Sequence, residues 1–135
     1  MLLVLATIIL APTCASALSI GYWDAWPTIG QQFNDKVTGY LGYCYYGQTS
    51  RSYLLAKVDY NLMKLGDVQT KVGGFYIASS PSVRTDLGLT WGASIMATKN
   101  LSVGFDIILL DSESFSGSSY TDILPYSTIT ANIYF

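Results

Sequence analysis

Apolar and polar residues alternate along most of this chain with a period of two, the signature of strands with two unlike faces. The clearest stretch is Asp86 to Ala97. Leu87, Leu89, Trp91, Ala93, Ile95 and Ala97 take one face; Asp86, Gly88, Thr90, Gly92 and Ser94 take the other, with Met96 the exception. After the turn Thr98-Lys99-Asn100, Leu101, Val103, Phe105, Ile107 and Leu109 alternate with Ser102, Gly104 and Asp106. The two segments predict a tight hairpin. The chain closes in the same way: Ile129, Ala131, Ile133 and Phe135 oppose Thr128, Thr130, Asn132 and Tyr134.

Earlier segments follow with more noise. Leu54, Ala56, Val58, Tyr60 and Leu62 oppose Lys57, Asp59 and Asn61; Val68, Val72, Tyr76 and Ala78 oppose Gln69, Lys71 and Gly73. Residues 37–46 are Tyr-rich and alternate weakly. Strands are expected over 37–46, 53–63, 68–78, 85–97, 100–110 and 123–135. The connections Lys64–Asp67 and Thr98–Asn100 are short, while Gly47–Ser52, Ser79–Thr85 and Asp111–Asp122 are longer and rich in Ser and Gly. No helical period appears after residue 17.

The N-terminus reads differently. Leu2 to Leu10 is an apolar run, and Ala15-Ser16-Ala17 is a small-x-small cleavage pattern. Residues 1–17 are expected to be a signal peptide and residues 18–135 a single β-barrel domain. An uncleaved anchor is the alternative, since no Lys or Arg precedes the run. Cys14 would leave with the peptide, and Cys44 is expected to act as a small buried hydrophobe.

Composition decides which face meets water. Half the residues are hydrophobic but only 12% are charged, against about 25% in soluble domains. Eleven of the sixteen charged residues fall in the expected turns and loops. Gly88, Gly92 and Gly104 sit on the polar face, which suits a crowded lumen better than an exposed surface. A soluble barrel would put the apolar face inward; these features favour the reverse. Leu89, Trp91, Ile95, Val103, Phe105 and Ile107 are then expected to face lipid.

A signal peptide, ten-residue alternating strands, short turns opposite longer loops, Tyr and Trp near strand ends, and the terminal Ile129-Ala131-Ile133-Phe135 row together resemble the small bacterial outer-membrane β-barrel proteins. The resemblance is one of pattern and covers the chain from residue 18. It implies an antiparallel up-and-down transmembrane barrel in the bacterial outer membrane. It also implies that the terminal row serves as the signal read by barrel-assembly machinery, with Ile133 where that signal often carries an aromatic. Closed single-chain barrels of this kind have an even number of strands. Eight strands are therefore expected, with residues 18–33 supplying two although they are too few for two full spans. Either the first is short and bent at Trp26-Pro27, or the barrel is irregular there, or the sequence begins short of its true start.

The chemistry is sparse. There is no histidine, which excludes His-dependent nucleophile pairs and His-based metal sites. A net charge of −2 leaves no basic footprint for nucleic acid. Lys57, Asp59, Lys71 and Asp106 are the charges placed mid-strand on the polar face. They are expected to pair and plug the lumen, because unpaired charge there would be costly. A catalytic carboxylate pair, Asp59 with Asp106, is the alternative. Tyr40, Tyr43, Tyr45, Tyr46, Trp23, Trp26 and Tyr126 are expected to form an interfacial girdle, or else a ligand-stacking rim. Loop Asp111–Asp122 is the expected recognition element. The function expected is non-enzymatic, structural or interaction-based, without cofactor or metal. Its partners would be outer-membrane lipid and the assembly machinery. A small transport pore and a soluble secreted barrel holding an apolar ligand are the alternatives.

Overall fold

In a computed structural model, the structure describes residues 17–24, 26–81 and 84–135. The expected signal peptide, Ala17 apart, lies outside them. Nine strands follow in order: β1 (Leu18–Trp23), β2 (Trp26–Gln32), β3 (Val37–Tyr46), β4 (Arg51–Leu65), β5 (Val68–Ser80), β6 (Arg84–Met96), β7 (Leu101–Phe115), β8 (Ser118–Ile123) and β9 (Ser127–Tyr134). Every pairing is antiparallel. Sequential neighbours pair from β1 to β7, and β9 closes the ring between β7 and β1. The fold is an all-β closed barrel of eight strands with one extra strand, β8.

β8 and β9 share one partner. β8 pairs with the upper half of β7, from Leu110↔Ile123 to Phe115↔Ser118; β9 pairs with the lower half, from Leu101↔Ile133 to Ile107↔Ser127. Between them, Leu124 adopts a positive φ of 54°, and Pro125 sits where no N–H is needed. On its other side β7 slips register against β6 between Leu89 and Thr90. This bulge resets the alternation of β7. Asp106 and Ile108 point inward below it, and Asp111, opposite inward-facing Gly88, does so above it.

Residues 18–33 do supply two strands, by being short. β1 and β2 have six and seven residues, while β4 to β7 have 13 to 15. The break lies at Asp24, with a φ of 48°, two residues before the expected bend at Trp26-Pro27. The loop expected at Asp111–Asp122 is instead the end of a long hairpin. Strand pairing continues to Phe115↔Ser118, and the turn is Ser116-Gly117, both at positive φ, the geometry that fits strand twist. The contrast of short turns with long loops disappears with it. Connections at the two rims are both short, 33–36, 66–67 and 97–100 at one and 24–25, 47–50, 81–83 and 116–117 at the other. Several charges assigned to loops, among them Arg84, Asp111 and Glu113, sit on these strand extensions.

The exterior is apolar and the interior mixed. Twenty-eight large hydrophobic residues are exposed among those described, against six buried hydrophobic ones. The alternation explains this. Ile20, Ile29, Leu54, Val58, Leu89, Phe105 and Ile129 share the outward parity, whereas Ser19, Thr28, Thr90, Ser102, Thr128, Thr130 and Asn132 share the inward one and are buried.

Candidate functional site: a two-storey lumen between two vestibules

The lumen is filled in two storeys. In the lower storey, β4 supplies Lys57 and Asp59, β5 supplies Lys71 and β7 supplies Asp106. Each lysine meets both carboxylates. Lys57 Nζ pairs with Asp59 Oδ1 and lies 3.2 Å from Asp106 Oδ2. Lys71 Nζ lies 2.8 Å from Asp59 Oδ2 and 3.0 Å from Asp106 Oδ1. The ring is neutral and buried, with Asp106 fully so. Trp23 adds a hydrogen bond, its Nε1 donating to Asp106 Oδ2 at 2.7 Å. Lys57 Nζ also lies over the rings of Trp23 and Tyr40, 5.7 and 5.4 Å from their centroids.

Glycines make room for the ring. Gly73 is the cross-strand neighbour of Asp59 and Gly92 that of Asp106. A Cβ at Gly73 would overlap Asp59 Oδ1, and one at Gly92 would overlap Asp106 Oδ1. A gap of about 10 Å³ remains beside Trp23, Tyr40, Lys57 and Asp59, the space of a single water.

The upper storey is apolar. Trp23, Leu55, Phe75, Ile77 and Ile108 form one buried cluster, with Trp26 and Tyr53 packed against it. Trp23 spans both storeys, its ring 5.2 Å from that of Phe75 and its N–H on the charge ring below. Gly88 belongs to the same arrangement, because a Cβ there would enter the Phe75 ring.

A vestibule lies beyond each storey. The lower one, at the rim where Leu18 and Tyr134 lie, has a volume of about 580 Å³ and polar walls that include Thr38, Asn61, Gln69, Ser102 and Asn132. The upper one has a volume of about 710 Å³ and is lined by Trp26, Tyr45, Tyr46, Tyr53, Ile77, Arg84 and Asp86. There Tyr53 meets Trp26 and Tyr46 edge-on, at 6.0 and 5.6 Å. Arg84 Nη2 binds Glu113 Oε2 at 2.6 Å, and its Nε binds Asp86 Oδ1 at 3.3 Å. Asp111 Oδ1 is buried without a hydrogen-bond partner. Burial first, then the negative charges of Asp86 and Glu113, push the Asp111 carboxyl above the usual range.

The four residues expected to form a lumen network are brought together. The residues expected to face lipid all lie on the outer face: Leu89, Ile95 and Phe105 are exposed, and Trp91, Val103 and Ile107 are half-exposed. Ile129, Ala131, Ile133 and Phe135 also point outward, and the Phe135 N–H donates to Leu18 O at 2.9 Å.

The expected aromatic girdle needs correction. Trp23 is buried inside the barrel, Tyr40 leans over the charge ring, and Trp26 and Tyr46 line the upper vestibule. Tyr43, Tyr45 and Tyr126 are exposed, Tyr45 at the edge of that vestibule. Parity carried the signal: Trp23 follows Ser19 and Gly21, and Tyr40 follows Thr38. Cys44 is free and half-buried rather than part of a core. The expected plug omitted the apolar storey, although Leu55 shares the parity of Lys57, and Phe75 and Ile77 that of Lys71.

Among the described residues, no group of His, Cys, Asp and Glu could hold a metal ion. Comparison with protein-family models, curated proteins and solved structures returns no match.

Proposed function

We propose that this chain is a non-enzymatic barrel of the bacterial outer membrane, with a structural or interaction role and a lumen closed by its own side chains. One observation carries the reading: the large apolar residues point outward all around the ring, while the buried interior holds two ion-paired lysines and two aspartates. In water that arrangement would expose apolar area far beyond the few hundred Å² tolerated on soluble surfaces. In a bilayer it is the stable one, because the ring closes through β9 and its strand edges are paired there, the free edge of β8 lying on the extension above. The belt runs from Leu101 to Leu110 on β7 and from Leu87 to Ile95 on β6; the extensions carrying Asp111 and Glu113 rise above it.

Support against a conducting role comes from the filling. An eight-stranded barrel leaves an interior that side chains just fill, and here two storeys fill it. Support against a soluble carrier of apolar ligands comes from the polar lower storey.

Cell fractionation tests the location. The protein should sediment with outer membranes and require detergent for release; recovery as a detergent-free soluble protein would overturn the reading. Planar-bilayer recording tests the closure. No stepwise conductance should appear, and discrete channels would favour the transport alternative.

A further inference from the structure

The upper vestibule has the size and walls of a binding site, and carboxylates cluster beside it. Its volume of about 710 Å³ falls within the range of small-molecule sites, roughly 300–1,000 Å³. Four aromatic residues, Trp26, Tyr45, Tyr46 and Tyr53, line it, and Ile77 adds apolar surface. Ring faces of this kind attract cations through their quadrupoles.

The charges around this mouth do not balance. Asp86 lines the cavity itself; Asp111 and Glu113 stand beside it on β7, outside the lining, with Asp122 opposite Asp111 on β8 and Asp24 on the β1–β2 turn. Against them stand Arg84, already held by two carboxylates, and Arg51 at the start of β4. Asp111 Oδ1 has no hydrogen-bond partner. This is the opposite of the lower storey, where two lysines neutralise two aspartates.

We propose that the upper vestibule binds an amphiphilic organic cation, an ammonium group carried on an aromatic or aliphatic body. The body packs against Trp26, Tyr53 and Ile77, and the ammonium sits between the tyrosine rings and the surplus carboxylates. An anion fits poorly, since the guanidinium of Arg84 is occupied. The proposal does not depend on the membrane reading, because the vestibule belongs to the barrel wherever it resides.

The test uses the full barrel refolded in uncharged maltoside micelles, with tryptophan fluorescence as the signal. Benzyltrimethylammonium is titrated beside benzyl alcohol, phenylacetate and methyl glucoside. The cation alone should give a saturable change. Asp111→Asn should weaken its binding about tenfold, the equivalent of about 1.4 kcal/mol. Glu113→Gln serves as a second charge variant if the first does not refold, and circular dichroism confirms the strands of each. Equal binding of benzyl alcohol would make the site an uncharged aromatic pocket and overturn the proposal. Preference for the glucoside would make it a sugar site. No saturable binding of any probe, or unchanged cation affinity in the charge variants, would also overturn it.

Discussion

The indole of Trp23 and the carboxylate of Asp106 are joined by a 2.7 Å hydrogen bond across 83 residues of sequence. The bond ties the shortest strand of the ring to one of the two longest, and the apolar storey to the charged one. It also gives the Asp106 carboxylate a hydrogen bond beside its ion pairs with two ammonium groups.

Removing Asp106 should therefore be severe. Asp106→Ala leaves Lys57 and Lys71 sharing one carboxylate and strands the Trp23 N–H. Breaking a buried ion pair from one side costs about 3–5 kcal/mol. Trp23→Phe keeps the charges balanced and loses the hydrogen bond and part of the ring, so its cost should be smaller. Urea unfolding of the refolded barrel measures both. A cost for Asp106→Ala below that of Trp23→Phe would remove the charge ring from its central place.

Gly92→Ala tests the fit of that ring. The added methyl would overlap Asp106 Oδ1, and overpacking of a filled interior costs roughly 1–3 kcal/mol. Gly74→Ala on β5 is the comparison, because its added Cβ would meet neighbours only at 3.6 Å and beyond. It should be close to neutral in the same unfolding assay. Equal effects at the two positions would show that backbone preference, not space, governs these glycines.

Depth in a bilayer would separate two outward positions on β7. Phe105→Lys puts charge on the outer belt and should cost roughly 2–4 kcal/mol in lipid. Ser112→Lys, outward but above the belt, should cost close to nothing. Folding of both into vesicles gives the comparison. A Phe105→Lys barrel that inserts as well as wild type would mean this surface does not meet hydrocarbon.

Phe135 is outward and exposed, with its backbone N–H bound to Leu18. A fully buried Phe is worth about 1.5–3 kcal/mol, and this ring buries little. Its deletion should hardly affect refolding in detergent, yet should lower membrane levels in cells if assembly machinery reads it. Unchanged levels in cells would end its role as a signal.

Asp111 gives a pH dependence. Its carboxyl is raised by burial and by Asp86 and Glu113, so the folded state holds the proton more tightly than the unfolded chain. The resulting penalty is complete above the folded value and relieved as pH falls toward the unfolded value, about 3.9. Asp111→Asn should thus stabilise the barrel at neutral pH, and the gain should shrink on acidification. A gain that grows toward acid would reverse the assigned shift.

Alternation made the barrel legible. Parity along 86–97 and 101–109 placed Leu89, Phe105 and Asp106 on their faces, and four mid-strand charges at one parity implied the ring. The β7 bulge was hidden, because Ile108-Leu109-Leu110 reads as a continuous apolar run in either register. Losing it turned Asp111 and Glu113 into loop residues. Ser116-Gly117 was a readable turn inside a Ser-rich stretch that reads as one long loop. The vestibule was illegible for a different reason: Trp26, Tyr53 and Arg84 meet only once the ring has closed.

The shortness of the β1–β2 hairpin has a mechanical consequence for any bilayer around it. Six residues in β1 extend about 20 Å at a rise near 3.3 Å. At a tilt of about 40° that is a wall roughly 15 Å high, against an apolar belt of about 25 Å in outer-membrane barrels. The mismatch is confined to one side. A uniformly short barrel would thin a membrane evenly; this one, set in a bilayer, would compress lipid along a single arc or lean toward it. Each Å of mismatch is worth a fraction of a kcal/mol, enough over such a wall that, in a membrane, the molecule would take a preferred tilt direction and meet its neighbours from a preferred side.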